Sequence, residues 1–292
     1  MKLKFELINA MHRNVVRFGL LFFVFAVASC SDDEKPAAKI QLATNATLGN
    51  YLTDKDGNTL YFFTRDVAGA NTCTGGCANA WPVFYEANLT QNLLADGLSL
   101  ADFGTITTSG GKQQNTYKGW PLYYYAPYVN TQFVRELPGE TKGEAVGGVW
   151  FVAKPDYTIM LVNAQLVGAN GKSYKGDYTE GEETIQYFTD AKGRTLYSFT
   201  FDKKNTNNFT TGDATHDANW PVYAETLASV PSTLDKSLFG TIDVSGKTQL
   251  TYKGWPIYYF GSDSERGENK GVSVPSPGVW PVVVEDAEVA PE

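Results

Sequence analysis

The chain has 292 residues, with 24 Lys+Arg against 32 Asp+Glu, a formal charge of −8, 42% hydrophobic residues and 14% aromatic ones. That acidic balance disfavours nucleic acid or an anionic lipid surface as a partner, because both need a positive face. Three cysteines and two histidines leave little for metal chemistry, since a closed zinc site takes four Cys, His or carboxylate ligands.

The first residues are expected to be a targeting segment, 1–29. Lys2, Lys4, Arg13 and Arg17 form its basic start, with Met1 or Met11 as the initiating residue. Phe18–Ala28 is an uncharged apolar stretch of eleven residues. That suits a signal peptide and is short of the roughly 20 residues of a membrane-spanning helix. Val27-Ala28-Ser29-Cys30 looks like a lipobox, so the Cys30 thiol is expected to be lipidated, for example with palmitate, and the chain then cut before Cys30. Residues 30–44 would be a lipidated, disordered tether. Its Ser31-Asp32-Asp33-Glu34 run resembles the acidic export signal that follows the lipidated cysteine in Bacteroidetes-type surface lipoproteins. Without residues 1–29, which hold four basic residues and one acidic, the counts become 20 and 31, a net of about −11.

With Cys30 assigned to lipid, Cys73 and Cys77 remain as a pair. In an exported protein a disulfide closing the short loop Cys73-Thr-Gly-Gly-Cys77 is expected, with a redox-active pair as the alternative. The body holds one histidine, His216, beside Asp217. A Ser-His-Asp triad would depend wholly on it, and a multi-histidine metal site is excluded within one chain. No haem-attachment or cofactor motif occurs.

Self-similarity organises the rest. Tyr51–Asp66 matches Tyr187–Asp202. Trp81-Pro82-Val83 matches Trp220-Pro221-Val222, and Phe103–Ile106 matches Phe239–Ile242. Thr116–Tyr123 matches Thr251–Tyr258, and Gly148-Val149-Trp150 matches Gly278-Val279-Trp280. All six tryptophans fall in repeated positions, which points to packing roles. Each module also repeats within itself: Tyr61–Asp66 has a counterpart in Tyr123–Tyr128, and Tyr197–Asp202 in Tyr258–Asp263. Short Tyr, Phe, Val and Thr runs between Gly, Asp and Asn clusters read as strands. Lys55-Asp56-Gly57-Asn58, Ala191-Lys192-Gly193-Arg194 and Ser109-Gly110-Gly111-Lys112 read as tight hairpin turns. Short helices are expected near Gln91–Leu98 and Thr233–Leu238, and a module boundary near Pro155–Gly168. Gly168–Glu183 is a polar insertion with no equivalent before Tyr51.

These motifs resemble the bacterial "secreted repeat of unknown function" lipoproteins, also described as secreted repeat proteins with a Tyr-x4-Asp motif. The resemblance covers about residues 45–284 and rests on three signatures: Leu-Tyr-x-Phe-x-x-Asp, the Cys-x3-Cys-Ala that precedes Trp-Pro, and Tyr-Lys-Gly-Trp-Pro. It implies an exported, often lipid-anchored β-repeat protein and brings no activity. The chain departs from the pattern at Tyr128, where the motif wants Asp, and at Gly212 and His216, which stand where Cys73 and Cys77 do.

The sequence therefore predicts an all-β protein of two tandem antiparallel β-repeat domains, 45–160 and 161–284, followed by an acidic tail, 285–292. Each would be a sandwich or small barrel, with a propeller-like arrangement of four units as the alternative. The motif residues Tyr61, Asp66, Tyr123, Tyr197, Asp202, Tyr258 and Asp263 are structural or binding residues, their aspartates suited to Asx-type turns. The expected function is a non-enzymatic envelope protein on the outer membrane, facing outward, held by its lipid and meeting a glycan or protein partner. A hydrolase using the aspartates would need them to converge in one cleft. An accessory of envelope redox chemistry would work through Cys73 and Cys77.

Overall fold

Strand β1 (Ile40–Asn45) pairs antiparallel with β2 (Gly49–Asp54), running from Ile40 opposite Asp54 to Asn45 opposite Gly49. The chain then turns through Lys55–Asn58, where Gly57 has φ +83° and the Asp54 carboxylate accepts the N–H of Asp56 and Asn58 at 2.9 Å each. The repeated turn at 191–194 is built the same way on Asp190, with Gly193 at φ +84°. Both are the tight turns expected, because glycine takes the left-handed backbone at no steric cost. This computed structural model describes residues 36–292, so the targeting segment and Cys30 lie outside the described residues.

The first module continues with β3 (Tyr61–Phe63), β4 (Phe103–Thr107), β5 (Gln113–Tyr117), β6 (Trp120–Pro121), the hairpin β7 (Tyr128–Val129) and β8 (Gln132–Phe133), and β9 (Trp150–Val152). The second holds β10 (Met160–Val167), β11 (Ser173–Tyr174), β12 (Thr184–Thr189), β13 (Phe239–Val244), β14 (Lys247–Tyr252) and β15 (Trp255–Pro256). They form six antiparallel sheets of two or three strands, and none among the described residues closes into a barrel. Many strands are only two or three residues long, too short to wrap a cylinder. The helices expected near 91–98 and 233–238 are single 3-10 turns, Gln91–Leu93 and Lys236–Leu238.

What replaces a barrel is a three-way corner used four times. The Leu52 N–H donates to Ala153, Ala153 to Leu60, and Leu60 back to Leu52, over 2.8–3.0 Å. Phe84, Leu122 and Asn115 make a second such cycle; Phe188, Val283 and Leu196 a third; Tyr223, Ile257 and Leu250 a fourth. Each satisfies three buried backbone donors and acceptors where three short segments meet, which an open sheet edge would leave unpaired.

The modules share their packing. Strand alternation sends Tyr61 and Phe63 into a cluster with Tyr123, Trp81 and Trp150, and sends Phe62 the other way. Phe62 joins Trp120, Phe151, Tyr157 and the buried side chains of the second module in one large core. Residues 36–292 accordingly form one compact unit. Over the expected module boundary, 155–168, runs β10, with Met160, Leu161, Val162 and Leu166 buried, and it pairs with β12 of the second module. Its Met-Leu-Val run is apolar on both faces, which suits a strand covered on both sides.

Candidate functional site

The repeated tyrosines and aspartates are almost fully buried. Asp66, Asp202 and Asp263 are 0%, 1% and 4% exposed, and Tyr61, Tyr123, Tyr197 and Tyr258 are all at 0%. Each motif lies on a strand segment that passes into a tight turn, so its tyrosine and aspartate leave the backbone in different directions. Neither is paired inside its own motif. The Tyr123 hydroxyl donates to Asp66 Oδ2. Tyr258 donates to Asp202 Oδ2 at 2.7 Å, and Tyr197 to Asp263 Oδ2 at 2.5 Å. The second module thus holds a reciprocal pair, in which each unit gives a phenol to the other unit's carboxylate.

The second oxygen of each carboxylate is spent locally. Asp66 Oδ1 accepts the Thr72 N–H at 2.8 Å and hydroxyl at 2.6 Å. Asp202 Oδ1 accepts the Asn208 N–H at 2.7 Å, and Asp263 Oδ1 that of Lys270 at 3.0 Å. These backbone donors lie six or seven residues on rather than two, so the expected Asx-type turn does not form; each aspartate holds a longer loop with one oxygen and joins two units with the other.

Tyr61 reveals a residue the sequence comparison missed. Tyr128, aligned with the motif aspartate, is 64% exposed on the β7–β8 hairpin. The carboxylate that meets Tyr61 is Glu136, 6% exposed, at 2.6 Å, and its other oxygen accepts the Lys142 N–H at 2.8 Å. A signal was available: Gly139-Glu-Thr-Lys-Gly143 repeats as Gly267-Glu-Asn-Lys-Gly271, and an acid precedes the lysine in both. The hairpin inserts ahead of that anchor and displaces the acid from the motif spacing.

Burial sets the electrostatics. Loss of water pushes Asp66, Asp202 and Asp263 up to about 6 and Glu136 up to about 7, against the hydrogen bonds they accept, which pull the other way. Burial and then the adjoining carboxylate push the four tyrosines well above their ordinary range, so they remain donors. The hydrolase reading needs free carboxylates in a cleft, whereas these four are buried and hydrogen-bonded to tyrosines. Each sits with its own tyrosine inside the body.

Tryptophans complete the arrangement. Phe63, Trp150, Trp81 and Tyr125 form a continuous stack with centroid spacings of 4.0, 3.8 and 4.4 Å. Phe199, Trp280, Trp220 and Phe260 repeat it at 4.2, 3.7 and 4.4 Å. In each stack the two central indoles come from the two units and lie within about 5° of parallel. The expected packing role is what these residues perform.

Cys73 and Cys77 are joined as a disulfide at the start of the short helix α1 (Cys77–Ala80), with Cys73 buried beside Trp81. The second module holds the same bend without it. At α2 (Ala214–Asp217) the Asp213 carboxylate accepts the His216 N–H at 2.8 Å, Asp217 accepts the N–H of Thr211 and Gly212, and the His216 ring stacks on Phe209 at 4.4 Å. His216 Nδ1 lies 2.9 Å from Asp217 Oδ1 on the same short helix, both side chains half-buried.

A model of the family described as "secreted repeat of unknown function" matches residues 43–85 and 242–284. These are the first and fourth units, carrying Tyr61, Asp66 and Trp81 in one and Tyr258, Asp263 and Trp280 in the other. The model thus matches two stretches of the chain, and the family it describes is one of secreted repeats. No curated protein and no solved structure matches it. No helix of the described residues is long and apolar enough to cross a membrane.

Proposed function

We propose that the chain is a lipid-anchored envelope protein, attached through Cys30 to the outer membrane and facing outward, whose β body is a non-enzymatic binding or structural module. The observation that carries the non-enzymatic part is the fate of the repeated motif: its phenols and carboxylates are consumed in hydrogen bonds between sister units. Such a motif recurs because it closes the fold, and the surface is left free to meet a partner. The anchor rests on the lipobox and the cysteine arithmetic, since Cys73 and Cys77 are committed to each other. Strand β1 begins ten residues after Cys30, at most about 35 Å of chain, so the body would sit close to the membrane.

Labelling cells with a clickable palmitate analogue tests the anchor. Wild-type protein should take up label and sit in the outer-membrane fraction, and Cys30→Ala should lose label and leave that fraction as an uncut precursor. A Cys30→Ala body found in the outer-membrane fraction as fully as wild type would refute the reading. Surface biotinylation of intact cells then reports the side on which the body is displayed.

A further inference from the structure

Two segments that the repeat does not share meet on one face of the second module. The insertion 168–183 folds back through β11, and the Tyr178 hydroxyl within it accepts the Val282 N–H at 2.9 Å. Residues 285–288 run along the Lys253–Trp255 corner: the Lys253 ammonium donates to the carbonyls of Glu285 and Ala287, and the Trp255 indole N–H donates to that of Glu288 at 2.8 Å. Between the segments lies an open groove of about 1000 Å³. Tyr178, Trp255 and Val282 contribute its apolar lining. Four carboxylates, including Glu183, Asp286 and Glu288, also line it, with no basic side chain among the described residues.

The first module shows the same face when it is filled. There Phe62 packs on Trp120, Phe151 and Tyr157 at 5.3–5.9 Å, inside the core shared by the modules. The guanidinium of Arg266, from the second module, lies over the Trp120 ring at 4.7 Å and donates to the carbonyls of Val67 and Lys118. In the second module Ser198 stands for Phe62, Pro281 for Phe151 and Trp255 for Trp120. Serine and proline cannot fill the space that two phenylalanines fill, so the face stays open, with an indole and a phenol on its wall and acids around them.

We propose that this groove binds a basic peptide segment, an arginine or lysine side chain lying along Tyr178 and Trp255 with its charge met by Glu183, Asp286 and Glu288. The apolar stem of such a side chain suits the aromatic wall, and its cation suits both the ring faces and the carboxylates. The duplicated module supplies the precedent, because Arg266 already occupies the matching tryptophan. The inference rests on the binding role proposed above and gives it a ligand class; it does not depend on Cys30, so its failure would be separable from failure of the anchor.

The test is calorimetric titration of the chain with an oligo-arginine peptide at physiological salt, with spermidine and a neutral oligosaccharide as separate arms. Saturable one-to-one peptide binding is expected, weakened about tenfold or more by Glu183→Gln/Asp286→Asn/Glu288→Gln and by Tyr178→Ser. Neutralising three exposed acids elsewhere, Asp56→Asn/Asp243→Asn/Glu265→Gln, should leave it unchanged. Melting temperatures of all variants separate lost binding from lost folding. Equal weakening by both triple variants, or no peptide binding, would overturn the proposal. So would oligosaccharide or spermidine binding in the groove as tight as the peptide's.

Discussion

A buried carboxylate stabilises a fold only while something replaces the water it has lost. In this chain a tyrosine hydroxyl and a backbone N–H do so together, and the balance still leaves the acids above their ordinary range. The consequence for pH has a definite sign. A group whose folded-state pKa is raised contributes stability that is complete below its unfolded value near 4 and is lost as pH rises through 6 to 7. The melting temperature should therefore rise by several degrees between pH 8 and pH 5; a flat or falling profile over that window would contradict it. Tyr258→Phe removes one donor from Asp202 and should cost about 1.5–3 kcal/mol at pH 8, where the carboxylate is charged. At pH 5 the acid is neutral and the loss should shrink, which paired denaturation curves at the two pH values would detect. An equal cost at both would mean that the hydroxyl does not serve a charged group.

At the scale of elements, the indole stacks and the corner bends hold the units together. Trp150 touches Phe63, Trp81 and Tyr123, and truncating it opens a large cavity between units. Trp150→Ala should cost about 3–5 kcal/mol in urea denaturation. The Cys73–Cys77 bond encloses a loop of only a few residues, so its entropic contribution is small, about 2 kcal/mol in the chain-entropy model. Cys73→Ser/Cys77→Ser should lower the melting temperature by a few degrees and leave the far-ultraviolet circular dichroism unchanged. The second module supports this, since hydrogen bonds to Asp213 and Asp217 hold the same bend there.

At the scale of the whole molecule, the two modules share one core. Phe62, Trp120 and Phe151 of the first lie in the same core as Leu161, Phe188 and Val283 of the second. Arg266 ties them further through the carbonyls of Val67 and Lys118. Urea unfolding followed by tryptophan fluorescence and by circular dichroism should give one coincident transition. Two resolved transitions would show that the modules are independent. Cutting the chain near residue 157 should expose Phe62, Trp120 and Phe151 and give an aggregating first half.

Local signals were enough to read the duplication, the β character, the Asp54 and Asp190 turns and the pairing of Cys73 with Cys77. Each depends on residues a few positions apart, where glycine conformation, strand alternation and loop closure act. The partner of each motif tyrosine was a different matter, because the contacts join residues 56 to 75 positions apart. Similarity between units shows that Tyr61 and Tyr123 are equivalent, but not that each reaches across to the other's acid, nor that Glu136 serves where Asp is missing. The same holds for the second module's open face. The insertion and the acidic tail are visible in the sequence as segments without a repeat partner, but only packing brings them to opposite sides of one groove. Composition and repetition thus determined what the chain is made of. The tertiary structure decided which of its repeated side chains are buried in closing the fold and which remain at the surface, since burial depends on what distant segments bring together.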